Sequence, residues 1–284
     1  MSDTRIPSPS SLLRAYGLPA KKRLGQNFLT DERILDRICA HALVTPGTRV
    51  LEIGPGPGGL TSRLLAAGAD VLALEMDPDA VSFLERALVP LGPLEVRQGD
   101  ALGPELSACL GEPPRTVVAN LPYHVGTEIL FRLIDAVSAP QLMVLMFQKE
   151  VAVRLACEGA SREFGAPSVA VQLTYTASQV MTLPPGAFQP APSVDSAVVV
   201  FRRRPQPLCD AETGKVVKRI ASEAFQQRRK MLRRSLAGWG ESMVQALELA
   251  QVPPTARPEE LRVNEFVSVA THWCALTRPS ASEG

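Results

Sequence analysis

The chain has 284 residues, 45% hydrophobic and 21% charged, and its 30 Lys and Arg nearly cancel 29 Asp and Glu to leave a formal charge of +1. An apolar share near the globular norm excludes a disordered or collagen-like polymer, and the lack of any uncharged apolar run of about 18 residues excludes a membrane-spanning helix. At about 100 to 200 residues per domain, two domains are expected.

Met1 to Ser11 are rich in Ser and Pro and read as part of a flexible lead-in reaching about residue 20, followed by a small basic cluster, Lys21, Lys22 and Arg23. From about residue 46 to 147, β-rich runs (Arg49 to Ile53, Asp70 to Glu75, Leu94 to Arg97, Thr116 to Ala119, Leu142 to Phe147) alternate with stretches of helical spacing (Leu60 to Ala67, Asp79 to Val89, Thr127 to Val137). That alternation predicts an α/β fold with a doubly wound, mostly parallel sheet. Val169 to Thr176 and Ser196 to Phe201 read as further strands, the latter after a Pro-rich turn from Leu183 to Pro192. Beyond Pro205 and Pro207 the pattern is helical: Ala211 to Gln226, Arg229 to Leu236, Glu241 to Ala250 and Val263 to Cys274. The expected division is therefore a domain over 1–205 and a smaller all-helical domain over 206–284. Five dispersed cysteines form no C-x-x-C pair, so neither a zinc site nor a redox motif is expected. With no secretory signal pattern after the first Met, a reducing, cytoplasmic setting follows.

Val50-Leu51-Glu52-Ile53 runs into Gly54-Pro55-Gly56-Pro57-Gly58-Gly59, a literal but weak match to G-x-G-x-x-G. Such a loop lets a ligand approach the backbone closely, and the literal match points to a dinucleotide. Glu52, just before the first glycine, would set negative charge near a pyrophosphate, whereas it suits the cationic aminoacyl end of S-adenosylmethionine. Glu75 closes the next strand, where a carboxylate can accept both ribose hydroxyls of either ligand. Asp100, after the third strand, can accept from an adenine amino group. Three acids in register at successive strand ends point to a ligand along the carboxyl edge of the sheet.

Asn120-Leu121-Pro122-Tyr123 follows the fourth strand in that same row. The N6 amine of adenine is a poor nucleophile because its lone pair is delocalised into the ring. The Asn120 side-chain oxygen and a backbone carbonyl held outward by Pro122 can orient its N–H bonds and favour a pyramidal nitrogen aimed at a sulfonium methyl. No strong general base is then required, and Tyr123 offers a π-face for a base taken out of its stack. The plain alternative is an Asn-Pro turn with a buried tyrosine.

With the blocks Lys21 to Leu29, Leu51 to Thr61, Asn120 to Tyr123, Gln148 to Ala152, Phe188 to Ser196 and Gln227 to Arg233 in order, the sequence resembles the ribosomal RNA adenine N6-dimethyltransferases, and among them those acting on bacterial 16S RNA. The resemblance implies a Rossmann-like S-adenosylmethionine-dependent catalytic domain with no metal. In it Asn27 and Leu29 contact the methyl donor, Gly54 lies against its methionine part, Glu75 binds the ribose, Asp100 the adenine, and Asn120 serves donor and amine. Tyr123 and Phe188 would sandwich the target adenine, although a Phe in a Pro-rich turn is, by itself, more often a loop anchor. The implied substrate is a pair of adjacent adenosines in the 3′-terminal hairpin of 16S RNA within an immature 30S subunit, each methylated twice by a monomeric enzyme. Two departures are His124-Val125-Gly126, where Asn-Ile-Ser is frequent, and Ser193, where Lys is common.

The basic residues from Arg202 to Arg234 exceed the acidic ones by eight. Lys218, Arg219, Arg228, Arg229, Lys230, Arg233 and Arg234, with Lys21, Lys22 and Arg23, are the candidates for phosphate contact, while Val217, Ile220, Ala221, Ala224, Phe225, Leu232 and Leu236 face a core. Competing readings are an assembly factor with lost catalysis, a nicotinamide oxidoreductase, and a 23S RNA methyltransferase sharing the sheet.

Overall fold

Ahead of the basic cluster the chain is helical where a flexible lead-in was expected. Helix α1 (Pro9–Tyr16) starts at Ser8, whose hydroxyl accepts from the Ser11 amide at 3.2 Å, and Pro9 takes the first helical position. It buries Leu12 and Tyr16, and that amphipathic face fixes it to the core. The computed structural model describes residues 6–21, 24–111 and 116–277.

Next come β1 (Phe28–Leu29) and α2 (Glu32–His41), then the alternating run β2 (Arg49–Ile53), α3 (Gly59–Ala66), β3 (Asp70–Glu75), α4 (Pro78–Ala87), β4 (Leu94–Gln98), α5 (Pro104–Gly111), β5 (Thr116–Asn120), α6 (Gly126–Asp135) and β6 (Leu142–Gln148). The expected strands fall at these positions, with ends shifted by at most one residue. Three further strands, β7 (Tyr175–Leu183), β8 (Phe188–Gln189) and β9 (Ser196–Arg203), follow the helices α7 (Lys149–Ala156) and α8 (Ala166–Gln172). The main sheet has the order β4-β3-β2-β5-β6-β9-β7. Its β2–β3, β3–β4, β2–β5 and β5–β6 pairings are parallel, and β9 runs antiparallel to β6. Val50, Leu51, Val71, Leu72, Val117 and Val118 are buried, as expected for strands covered on both faces.

Strand order reverses between β2 and β5, so the loops after these two strands diverge and leave a crevice at the carboxyl edge. The register aligns Ile53 with Leu74 and Ala119, and Glu75 with Gln98. Gly54, Glu75, Asp100 and Asn120 therefore emerge along one rim.

By backbone proximity the chain forms two units, Met1–Ala152 with Ser178–Arg203, and Val153–Ala177 with Arg204–Gly284. Assigning Val153–Ala177 to the second unit departs from the expected boundary at 205. The strand expected over Val169 to Thr176 is also corrected. Pro167 opens α8, the Ser168 hydroxyl accepts from the Gly165 amide (3.1 Å), and Val169 and Leu173 join the second unit's core, so packing overrides the β preference of the Val-Ala-Val run.

The second unit also holds α9 (Ala211–Gln226), α10 (Leu232–Ser235), α11 (Glu241–Leu249) and α12 (Val263–Thr277). Val217, Ile220, Ala221, Ala224, Leu232 and Leu236 are buried there, with Phe225 packed against them. The helix expected over Arg229 to Leu236 shrinks to α10, because a turn occupies 227–230. Among the described residues no helix is long and apolar enough to cross a membrane.

Candidate active site

A cavity of about 350 Å³ opens at the switch point, lined by the 24–28 segment, the Gly54 and Gly56 loop, Glu75, Asp100 and the Asn120 to Val125 turn. The Glu75 carboxylate is 6% exposed and fixed at both oxygens, Oε2 accepting from the Gly56 amide (2.9 Å) and Oε1 from the Asp77 amide (2.7 Å). Burial pushes its pKa up, and these amides partly oppose the rise. Asp100 Oδ1 accepts from the Leu102 amide at 2.8 Å, which sets that carboxylate on the cavity wall.

Asn120 Nδ2 donates to the Asn27 carbonyl at 2.8 Å. With the amide nitrogen committed to that carbonyl, the side-chain oxygen is left for the cavity. Pro122 carries the turn into α6, its carbonyl accepting from the Val125 (3.2 Å) and Gly126 (2.9 Å) amides. Leu121 is buried at 1% exposure, whereas Tyr123 is half-buried and lines the cavity. The Tyr123 hydroxyl lies 2.6 Å from Ser196 Oγ, a fully buried hydroxyl at the start of β9, so the ring is held from its far end. Burial raises the Tyr123 pKa, and it stays a phenol at neutral pH.

The strap over 24–28 forms one wall of this cavity, and glycine permits two close approaches. A Cβ on Gly56, whose φ is +55°, would sit 2.8 Å from Phe28 Cε1; one on Gly25, at φ +63°, would sit 3.1 Å from His124 Nδ1. Phe28, Gly54 and Asn120 also line an adjoining cavity of about 40 Å³, shared with Leu29 and Glu52.

Several site expectations change. Phe188 does not line the larger cavity beside Tyr123; it is 5% exposed, pairs with Leu29 between β8 and β1, and belongs to the hydrophobic core. Glu52 is not an anion facing the larger cavity. Its Oε2 accepts from the Thr61 hydroxyl at 2.7 Å, and burial pushes its pKa up to about 8, which favours the protonated form at neutral pH. Lys21 is turned to acids of its own chain, Asp77 Oδ1 at 2.5 Å and Asp79 Oδ2 at 2.6 Å. Lys22 and Arg23 lie outside the described residues.

In the second unit, Arg228 is taken up by structure: its guanidinium donates to the Arg162 and Phe164 carbonyls (2.5 and 2.6 Å) and lies 5.6 Å from the Phe225 ring. Arg219 pairs with Glu223 (3.1 Å) and stacks 4.4 Å over Trp239. Arg229, Lys230, Arg233 and Arg234 are exposed around the start of α10.

Sequence reasoning missed Asp77, Gln26 and Ser196. Asp77 before Pro78 was legible as a helix cap, and Gln26 lies inside the Lys21 to Leu29 segment, but their contact across 51 residues was not legible.

A mostly parallel sheet with a glycine loop, a row of strand-end acids and an Asn-Leu-Pro-Tyr turn at its switch point defines a Rossmann-like, S-adenosylmethionine-dependent methyltransferase. The model of the ribosomal RNA adenine dimethylase family matches residues 17–273, and the chain belongs to that family. A relative from Cereibacter sphaeroides, Ribosomal RNA small subunit methyltransferase A, is 44% identical over 93% of this chain and 96% of its own. Two solved structures share the fold at 24% identity. The 23S rRNA methyltransferase ErmE has a TM-score of 0.69 over 87% of this chain and 99% of its own. A dimethyladenosine transferase from Plasmodium falciparum has a TM-score of 0.68 over 85% and 95%.

Proposed function

We propose that this protein transfers methyl groups from S-adenosylmethionine to N6 of two adjacent adenosines in the 3′-terminal hairpin of 16S rRNA, giving N6,N6-dimethyladenosines during small-subunit biogenesis. The observation that carries this reading is the Asn120 amide, locked by its nitrogen to the Asn27 carbonyl beside a half-buried Tyr123 on the wall of the cavity. Family membership and relatives named for the small-subunit RNA support the choice of substrate.

The residues present fit the donor. Glu75, with each oxygen held by one amide, keeps acceptor capacity for a ribose diol, and Asp100 keeps an oxygen for an adenine amine. Gly54 lines both cavities, Asn27 the larger and Leu29 the adjoining one, and this reading assigns all three to the methionine end. When bound, S-adenosylmethionine supplies an electrophilic methyl group. The Asn120 oxygen and the Leu121 carbonyl accept from the N6 hydrogens, withdrawing the lone pair from ring conjugation and aiming it at the methyl carbon. Tyr123 provides one stacking face, fixed by Ser196. Each transfer replaces one N6 hydrogen: the N–CH3 bond forms as the donor's sulfonium–methyl bond breaks to leave a neutral thioether, and the alkylated nitrogen gives its proton to solvent, so the second round relies on one acceptor contact in place of two. Arg229, Lys230, Arg233 and Arg234 contact RNA phosphates. The setting is an immature 30S particle in the cytoplasm, engaged by a monomer.

Incubation with tritiated donor and undermethylated 30S particles tests this reading. Label should enter adenosines of the 16S 3′ hairpin, in up to four methyl groups per particle. Label confined to 23S RNA, or absent from RNA altogether, would overturn it.

A further inference from the structure

The Asn120 amide owes its orientation to the Asn27 carbonyl, and that carbonyl is carried by a strap anchored at a distance. Asp77, 1% exposed at the start of α4, receives Lys21 Nζ on Oδ1 (2.5 Å) and Gln26 Nε2 on Oδ2 (3.2 Å). The Gln26 side-chain oxygen in turn accepts from the Lys21 amide at 2.7 Å, closing a ring of contacts at the base of the strap. Tyr16 is aimed at the same carboxylate, 3.5 Å from Oδ2, and Asp79 shares the Lys21 ammonium. The next residue after Gln26 is Asn27, whose carbonyl holds Asn120. Asp77 is also joined to the donor side of the site, since its amide fixes Glu75 Oε1.

We propose that Asp77, through Lys21 and Gln26, is a positioning residue for methyl transfer: it holds the 24–28 strap in the register that lets the Asn27 carbonyl capture the Asn120 nitrogen and turn the Asn120 oxygen toward the reacting amine. Lys21 thereby acts inside the enzyme and is not a phosphate contact. The inference rests on the role given to Asn120 above. Burial alone would raise the Asp77 pKa, but hydrogen bonds from Lys21 and Gln26 bring it below the usual carboxylate range, so the anchor is charged at neutral pH.

The chemistry is sensitive to small displacements, a shift near 1 Å costing about a hundredfold in rate. The test uses the full chain with Lys21→Met, Lys21→Arg, Asp77→Asn and the Lys21→Met/Asp77→Asn double variant, beside Asn120→Ala. For each, kcat and the KM for undermethylated 30S particles are measured at saturating donor, with RNA affinity by filter binding. Lys21→Met is expected to lower kcat about tenfold or more with KM and RNA affinity unchanged. Lys21→Arg should keep most of kcat, and the double variant should lose less than the two single changes combined, because both break the Lys21–Asp77 contact. Lys21 has a partly exposed side chain (26%), so its replacement tests the idea even should Asp77→Asn fail to fold. An unchanged kcat in Lys21→Met, with Asn120→Ala inactive, would overturn this inference alone. Weaker RNA binding with kcat intact would overturn it too and make Lys21 a phosphate ligand. An active Asn120→Ala would overturn both this inference and the proposed chemistry.

Discussion

Replacing Glu52 with Gln should remove a pH dependence that one buried carboxyl imposes on the first unit. Glu52 sits on β2 at 1% exposure, and its carboxyl accepts hydrogen bonds from the Thr61 hydroxyl and backbone. Burial is the main cause of a folded pKa near 8 against an ordinary 4.5; the Thr61 hydrogen bond opposes the rise and the Glu75 charge adds to it. Between pH 4.5 and about 8 the folded protein holds a proton at this site that the unfolded chain has released. Stability from this group is thus complete below pH 4.5 and declines by about 1.4 kcal/mol per pH unit as the pH rises, about 5 kcal/mol across the whole window as an upper limit. Gln keeps an acceptor for Thr61 and carries no ionisable proton. Urea unfolding should be followed by hydrogen exchange of the β2 and β3 amides, since Trp239 and Trp273 both lie in the second unit and their fluorescence reports on that unit. Measured at about pH 5 and pH 8, the stability of Glu52→Gln relative to the parent should grow by roughly 3 to 5 kcal/mol. A difference that stays flat with pH would refute the assignment of a protonated buried Glu52.

Gly56→Ala places a Cβ 2.8 Å from the Phe28 ring at a backbone φ of +55°, so the strap must shift; calorimetry should show donor affinity reduced about tenfold or more, with RNA affinity intact. Tyr123→Ala removes stacking worth about 1 to 3 kcal/mol, or roughly 5- to 150-fold in kcat/KM. Tyr123→Phe keeps the ring and loses only its bond to Ser196, about 1 kcal/mol, so its loss should stay below about tenfold. Neutralising Arg229, Lys230, Arg233 or Arg234 singly should reduce the slope of log affinity against log salt by roughly 0.7 to 0.9 each, without changing donor affinity. Arg228→Gln should instead lower the thermal stability of the second unit, because that guanidinium holds the Arg162 and Phe164 carbonyls.

Much of the catalytic unit was legible because it is built from local signals. Val50 to Ile53 and Asp70 to Glu75 are short apolar runs ending in glycine or an acid, and both became strands at the expected residues. The rim of Gly54, Glu75, Asp100 and Asn120 was expected from their places at successive strand ends, since parallel strands deliver their ends to one edge. Features that depend on distant contacts were not legible. Pro9–Tyr16 is polar enough to pass for a loop until Tyr16 finds Phe28 and Phe83. Val169 carries strand-forming chemistry, yet joins a helical core with Phe266 and Val217. Lys21 looked like one of three basic residues because the two acids that bind it lie 56 and 58 residues away. The position of Phe188 was recognised in its block, but its pairing with Leu29 between β8 and β1, which buries it, depends on residues about 160 positions apart and was not legible.

The central claim is that Asn120, presented beside Tyr123 at the edge of the sheet, orients an adenine N6 for methylation in the 16S 3′ hairpin. Mass spectrometry of 16S rRNA from cells lacking this protein, complemented with the parent gene or with Asn120→Ala, tests it most directly. Two adjacent N6,N6-dimethyladenosines should be missing in the deletion, restored by the parent and still missing with Asn120→Ala at equal protein level. Dimethylation that persists in the deletion, or that returns fully with Asn120→Ala, would contradict the account.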